Sequence, residues 1–406
     1  MATMTLPGKN GSTEYFTQEE ETANLLDAVE RIGPIITAHS DEADKERRLS
    51  RPVRDAMADT GLFRLLTPRS LGGSELPPLD YARVLEAVSS YDSAAGWSLA
   101  NPLAFAFRCA WLPDDGAEEI MGSGHDVLIA ASINPPIKAV PVEGGYRLTG
   151  RTPFVSNCHD ATWFGVSAIV MDGEKPLLRE DGKPETILAY MPMETCDIIE
   201  TWSVMGMRGT GSDDVEVIDL FVPSHRTFGL PAGAQRGSHY QSPLYRFPFL
   251  SMAVGGVALA IARNAIDEVS ALAQGKTPLT SKTLLRDKAS TQWKIAQAEA
   301  AVRSARALRN ETIDQVWEST VAGNTPTLGQ RADLLLSTVN AVSSSVAAVE
   351  MMFQVAGTSG FQDDSPLQRH FRDIQVLKQH AYASEARYQS LGQVFLGLTS
   401  DFPSLQ

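Results

Sequence analysis

Cysteine is scarce in this chain. Only Cys109, Cys158 and Cys196 occur in 406 residues. Three scattered thiols exclude a disulfide framework and a thiolate zinc site. They read as small buried hydrophobes in a reducing compartment, so the expected location is the cytoplasm. Histidine is also thin: seven residues, dispersed, with no His-x-x-x-His or His-Glu-x-x-His spacing. A zincin-type metal site is therefore not expected. There is no P-loop, and no Gly-x-Ser-x-Gly elbow to carry a serine nucleophile. No run of about 18 consecutive apolar residues occurs, and the first residues, Met-Ala-Thr-Met-Thr-Leu-Pro-Gly-Lys-Asn, hold no apolar signal core. Neither a membrane span nor a secretory leader is expected. Positive charge is in deficit, with 35 Lys and Arg against 49 Asp and Glu, a net charge of −14. That balance lacks the basic footprint of a nucleic-acid binder.

What is present is 43% hydrophobic and 21% charged, the composition of a globular protein with a large core. The periodicity changes twice along the chain. Residues 1–17 are polar and read as a flexible lead-in. Residues 18–125 read as an α-helical domain. Thr17 and Glu20 form a capping box, Leu25, Leu26, Val29 and Ile32 follow at helical spacing, and Leu49, Val53, Ala56 and Met57 make a second stripe that Gly61 stops. The segment 71–78, Leu-Gly-Gly-Ser-Glu-Leu-Pro-Pro, is a loop. Residues 126–240 read as a β-domain. Val142 to Tyr146 spells a hairpin turn, Trp163 to Met171 a buried strand, and Val215 to Val222 a β-branched strand ending at Pro223. Residues 241–406 are helical again. Proline-free intervals separate Pro278, Pro326, Pro366 and Pro403, and with Phe249–Gln274 they predict four long helices in a bundle. The fold class is α+β.

Motifs are spread over most of this frame. They include Gly61-Leu62-Phe63-Arg64-Leu65-Leu66-Thr67-Pro68, Tyr91-Asp92-Ser93-Ala94-Ala95-Gly96-Trp97 and Gly150-Arg151-Thr152-Pro153-Phe154-Val155-Ser156. Further on come Trp202 through Ser212, and Leu367 through Asp373 followed by His380-Ala381. In this order the chain resembles the acyl-CoA dehydrogenase superfamily, and within it the flavin-dependent monooxygenases. The resemblance implies an N-terminal helical domain, a central β-domain and a C-terminal four-helix bundle. It further implies a small-molecule substrate, an NAD(P)H:flavin reductase as partner, and a homotetramer. Reduced flavin, FMN or FAD, would react with O2 to a C4a-hydroperoxyflavin that oxygenates a small aromatic, heteroaromatic or amine substrate. Two alternatives stand beside it: an acyl-CoA dehydrogenase whose base lies on another helix, and a non-catalytic bundle protein. Ala381 stands where a dehydrogenase of this family carries its glutamate base.

The resemblance also distributes roles. Ser156 would meet the flavin ring, its neutral hydroxyl suiting N5 or a peroxide; a serine capping a strand end is the plainer reading. Phe154, beside Val155, would pack on the isoalloxazine, or pack in the core. Trp202, Arg208, Thr210 and Ser212 surround a glycine-rich segment suited to phosphate or ribose, which reads equally as a turn. Asn134 lies in the flavin-contacting segment, and Gln354 and Gly357 match a Gln-x-Gly-Gly segment that meets adenine across a dimer interface. Ala356 in place of a glycine there admits FMN as well as FAD. Arg286 and Gln292, at the start of the second bundle helix, would meet a pyrophosphate. His380 is the acid–base candidate, or else a satisfied core histidine, placed by helical spacing on the face of Val376, Leu377 and Ala383, with an imidazole that titrates near pH 6.5 when unperturbed. The segment Phe105 to Cys109 lacks the extra histidine of several phenol hydroxylases, which argues against a simple phenol substrate.

Overall fold

Local signals at the chain's start produce the structure they predict. The computed structural model describes residues 4–7, 13–122, 124, 127–230, 233–246 and 251–406. Glu20 Oε2 accepts from the Thr17 amide at 2.7 Å, and Thr17 Oγ1 accepts from the Glu20 amide at 3.3 Å. This reciprocal box opens α1 (Gln18–Ala38), which buries Leu25, Val29 and Ile32. Helices α2 (Ser40–Glu46) and α3 (Arg51–Asp59) follow. Gly61 then turns the chain at φ +75°, a conformation that glycine adopts without strain. Within the expected lead-in, β1 (Met4–Pro7) pairs antiparallel with β2 (Thr13–Phe16). Thr13, Tyr15 and Phe16 carry the strand propensity that the polar composition of residues 1–17 hides.

Compactness divides the chain into two units that cut across the three sequence regions. One comprises residues 1–77, 98–203 and 208–242; the other comprises 78–97, 204–207 and 243–406. In the first unit the strands are β3 (Ile129–Val142), β4 (Gly145–Val155), β5 (Trp163–Asp172), β6 (Lys175–Pro176), β7 (Thr186–Pro192), β8 (Asp197–Ile199), β9 (Asp213–Pro223) and β10 (Thr227–Leu230). Their order is β10-β7-β5-β3-β4-β9-β8, with β6 beside β5. Only the β3–β5 pairing is parallel among these described strands. Alternating residues of the sheet, among them Leu148, Val155, Phe164, Val166, Val215 and Val217, form its core.

The second unit holds α4 (Pro78–Tyr91) and the first turn of α5 (Ser93–Ala106). It also holds α7 (Ser251–Gly275), α8 (Ala289–Val321), α9 (Leu328–Ala356), α10 (Pro366–Leu377) and α11 (Ala386–Phe395). The remaining helix, α6 (Asp114–Met121), belongs to the first unit. Helices α7, α8 and α9 pack on one another, and α4 lies on α7 and α8. Glu86 of α4 receives Arg306 at 2.7 Å and the fully buried Arg309 at 2.6 Å, so a paired charge spans α4 and α8. By length and composition α9 is apolar enough to cross a membrane, and more than half of its apolar window is buried inside the structure. The first bundle helix begins at Ser251; Phe249 lies outside the described residues.

The fourth interval is not one long helix. It is α10, a run of turns over 378–385, and α11. In a continuous helix the Tyr382 amide would donate to the Lys378 carbonyl. Here it donates to the His380 imidazole at Nδ1, 3.3 Å away. A side chain that captures a backbone donor locally competes with the helix ladder.

Candidate functional site

In the first unit the end of β4 gathers most of the predicted residues. The β4–β9 register shifts between Thr152 and Val155, and Phe154 takes φ +60°. The irregularity turns Phe154 outward, 67% exposed, while Val155 and Ser156 stay buried. Phe154 therefore does not pack in the core. Val155 does, within the sheet cluster, which leaves its backbone as the part that can meet a ligand. The Trp202 ring stands edge-on to Phe154, centroids 6.3 Å apart at 80°. Beneath this aromatic pair runs a buried hydroxyl chain: Ser156 Oγ to Ser212 Oγ at 2.8 Å, and Ser212 Oγ to Thr210 Oγ1 at 2.7 Å. The glycine-rich segment thus directs its hydroxyls at Ser156, not at a phosphate in solvent. Asn157, at φ +62°, donates from its amide to the Thr210 carbonyl at 2.9 Å and from Nδ2 to the Ser98 carbonyl at 2.9 Å. Its buried Oδ1 has no protein partner among the described residues.

Two predicted residues of this unit take other positions. Arg208 donates from Nε to the Asp44 carbonyl at 2.8 Å and faces the Asp44 carboxylate at 3.8 Å. Its guanidinium is committed to α2. Asn134 lies within β3, exposed, where the β3–β5 register breaks between Ser132 and Ile137. This bulge is tied to β4 through Ser132, whose Oγ accepts from Thr152 Oγ1 at 2.8 Å and donates to the Pro153 carbonyl at 3.3 Å.

Sequence reasoning missed Asp213. It partners His159, whose Nε2 lies 2.7 Å from Asp213 Oδ2. Asp213 Oδ1 accepts from the amides of Thr201 at 2.6 Å and Trp202 at 2.7 Å. Burial alone would push this carboxyl up, but His159 and the two amides hold it below its ordinary range. An Asp directly after Gly-Thr-Gly-Ser was the only signal available. Its partner sits 54 residues away.

In the second unit His380 is partly buried between α10 and α11. The Trp97 ring meets it edge-on at 5.2 Å and Tyr382 stacks at 5.8 Å. Burial lowers its pKa to about 4, so it does not titrate near 6.5 and is neutral at physiological pH. A backbone N–H can only donate, so Nδ1 is the acceptor from Tyr382 and the ring proton sits on Nε2. His370 on α10 is likewise lowered to about 4, by burial and then by Arg369.

Arg286 lies in a short 3-10 helix (Leu285–Asp287) before α8, not in α8 itself, and the exposed residues around it form a polar edge. Arg286 Nη1 donates to Gln274 Oε1 at 3.2 Å, and Gln292 Nε2 donates to the Arg286 carbonyl at 3.0 Å. Gln354 Oε1 accepts from Lys294 Nζ at 2.8 Å. Gly357 ends α9 at φ +56°, and Lys276 Nζ covers the preceding Ala356 carbonyl at 2.5 Å.

Residues 19–109 match the acyl-CoA dehydrogenase N-terminal domain and residues 252–385 its C-terminal domain. An indole-3-acetate monooxygenase of Pseudomonas putida is 34% identical, covering 88% of this chain and 89% of that one. The oxygenase subunit HsaA of a flavin-dependent monooxygenase of Rhodococcus jostii is 26% identical over 88% of this chain and 94% of its own. The crystal structure of the HsaA monooxygenase from M. tuberculosis superimposes with a TM-score of 0.83 at 25% identity, covering 95% of this chain and all of that one. These relatives favour the monooxygenase reading over a dehydrogenase with a displaced base and over a non-catalytic bundle. The chain belongs to the acyl-CoA dehydrogenase family, and within it is a flavin-dependent monooxygenase.

Proposed function

We propose that this monooxygenase binds reduced flavin, FMN or FAD, against the end of β4 and uses it with O2 to oxygenate a small heteroaromatic or aromatic substrate. Indole-3-acetate, the compound named for its 34% identical relative, is the first to test; a small amine is the remaining class. The observation that carries the assignment is the exposed Phe154–Trp202 pair above the buried Ser156–Ser212–Thr210 chain. A flat apolar ring with one polar edge fits an outward aromatic pair beside neutral hydroxyls. The partnerless Oδ1 of Asn157 adds an acceptor for a ring N–H. When bound, reduced flavin would supply the two electrons that activate O2, of which one atom goes to the substrate and the other leaves as water.

The chain's own residues prepare the reaction. Each hydroxyl in the Thr210–Ser212–Ser156 chain can be donor or acceptor. The chain can therefore run in either direction, letting Ser156 accept from the N5–H of reduced flavin while donating to Ser212, without burying a charge. His380 donates a hydrogen bond from Nε2 to the substrate. Its low basicity, with Nδ1 occupied by the Tyr382 amide, supports a donor and not a proton-abstracting base. Arg286, Gln292, Gln354 and Gly357 contribute their exposed edge to the distal end of a flavin held by a neighbouring copy in a homotetramer. The reductase that feeds the chain uses NAD(P)H, and the system operates in the cytoplasm, a reading supported by three free thiols.

The test is coupling. Ser156→Ala should raise H2O2 formed per reduced flavin consumed at the expense of product, with flavin affinity changed less than about threefold. Unchanged coupling would remove Ser156 from the flavin's polar edge.

A further inference from the structure

One buried carboxylate joins three segments of the first unit. Asp213 opens β9 opposite Val155 of β4. Its Oδ1 holds the amides of Thr201 and Trp202, and its Oδ2 holds His159 in the turn that follows Ser156. Asp214, the next residue, points the other way, to Arg151 at 2.7 Å and Thr201 Oγ1 at 2.8 Å. The Trp202 ring is held from its far side too, where Nε1 donates to the Arg208 carbonyl at 3.2 Å. Buried carboxylates persist when every lone pair is used, and here the donors are two amides and an imidazole. Cys158, His159 and Asp213 bring ligand-type atoms within 4.8 Å of one another. However, the Cys158 thiol donates to the Gly211 carbonyl at 3.5 Å and burial pushes it up to about 12. The trio is therefore satisfied by protein donors and acceptors as it stands.

We propose that the His159–Asp213 pair is a positioning device for the flavin site. By fixing the backbone of Trp202, it sets the angle at which Trp202 meets Phe154. His159 and Asp213 are positioning residues: neither touches the reacting atoms, and both act through Trp202. The inference rests on the reading that the Phe154–Trp202 pair faces the flavin.

The experiment uses the full chain without reductase: tryptophan emission of the flavin-free protein, FMN and FAD titration, and thermal melting. His159→Ala should shift the emission, and the shift should vanish in a Trp202→Ala background. It should also weaken flavin binding about tenfold. His159→Gln restores an N–H toward Asp213 Oδ2 and should bring both readouts back to within about twofold of wild type. Emission and affinity equal to wild type in His159→Ala, with only a lower melting temperature, overturn the proposal, as does a Gln variant no better than Ala. Trp202→Ala separates the two readings. If it binds flavin as tightly as wild type, the aromatic-pair assignment fails and the latch with it. If it binds weakly while His159→Ala is unaffected, only the latch fails.

Discussion

At the scale of single residues, His380 shows how burial changes a reading made from residue type. An imidazole suggests a group poised near neutrality; this one is held neutral down to about pH 4, with its tautomer set by the Tyr382 amide. His380→Ala should lower product formation about a hundredfold, the usual scale for a positioned proton or hydrogen-bond donor. Flavin affinity should stay within about twofold. Titration of both ligand binding and turnover checks this, and equal activity would reject the role. Stability carries a second expectation. His370 and His380 have folded pKa values below their unfolded ones, so the unfolded chain binds the extra protons. Their contribution is complete above about pH 6.5 and is lost as pH falls toward 4. Melting temperatures of His380→Gln should fall less steeply across that window than those of wild type; parallel curves would show that His380 is not the group responsible.

At the scale of elements, pattern was legible wherever a single period governs. The capping box at Thr17, the β3–β4 hairpin, and the strands at 163–172 and 213–223 form at the expected places, because local donors and alternating burial act within a few residues. The fourth bundle helix reads as continuous, but its ladder ends at Leu377: the Gln379 and His380 amides bond carbonyls three residues back and the Tyr382 amide bonds the His380 imidazole, which periodicity does not register. Asp92 offers a test of such local chemistry. It precedes α5 and its Oδ1 accepts from the Ala95 amide at 2.7 Å. Burial, then Asp373 nearby, pushes its pKa up to about 7, against the pull of the Ala95 amide and Arg369. A raised folded pKa means that the native state favours the proton, so stability falls as pH rises from about 4 through 7. Asp92→Asn keeps the cap without the charge. It should melt higher than wild type at pH 8, with the difference closing toward pH 4, as scanning calorimetry across pH would show. A pH-independent difference would sink the assignment.

At the scale of the whole molecule, the proposed function makes the enzyme depend on a partner for its reducing equivalents. The chain with NAD(P)H and flavin alone should give no product, and adding any reductase that releases reduced flavin should start turnover. Product formed without a reductase would contradict the two-component assignment. Light scattering should return four times the chain mass, the state in which the exposed edge of Arg286, Gln292 and Gln354 meets a neighbouring copy; a monomer at working concentration would remove that role.

Sequence alone determined the family, the α+β class, the order of helical, strand and helical regions, and the presence of Ser156, Phe154, Trp202 and His380 as candidates. These follow from short-range periodicity and from motifs that survive in one dimension. Only the tertiary structure decided where the candidates stand and which groups they meet. It turned Phe154 outward through a register shift, spent Arg208 on Asp44, joined Ser156 to Ser212 and Thr210, and paired His159 with Asp213. It also fixed the proton of His380 on Nε2. The reason is physical: desolvation and hydrogen bonding depend on which groups meet across tens of residues, and those meetings exist only once the sheet and the bundle have closed.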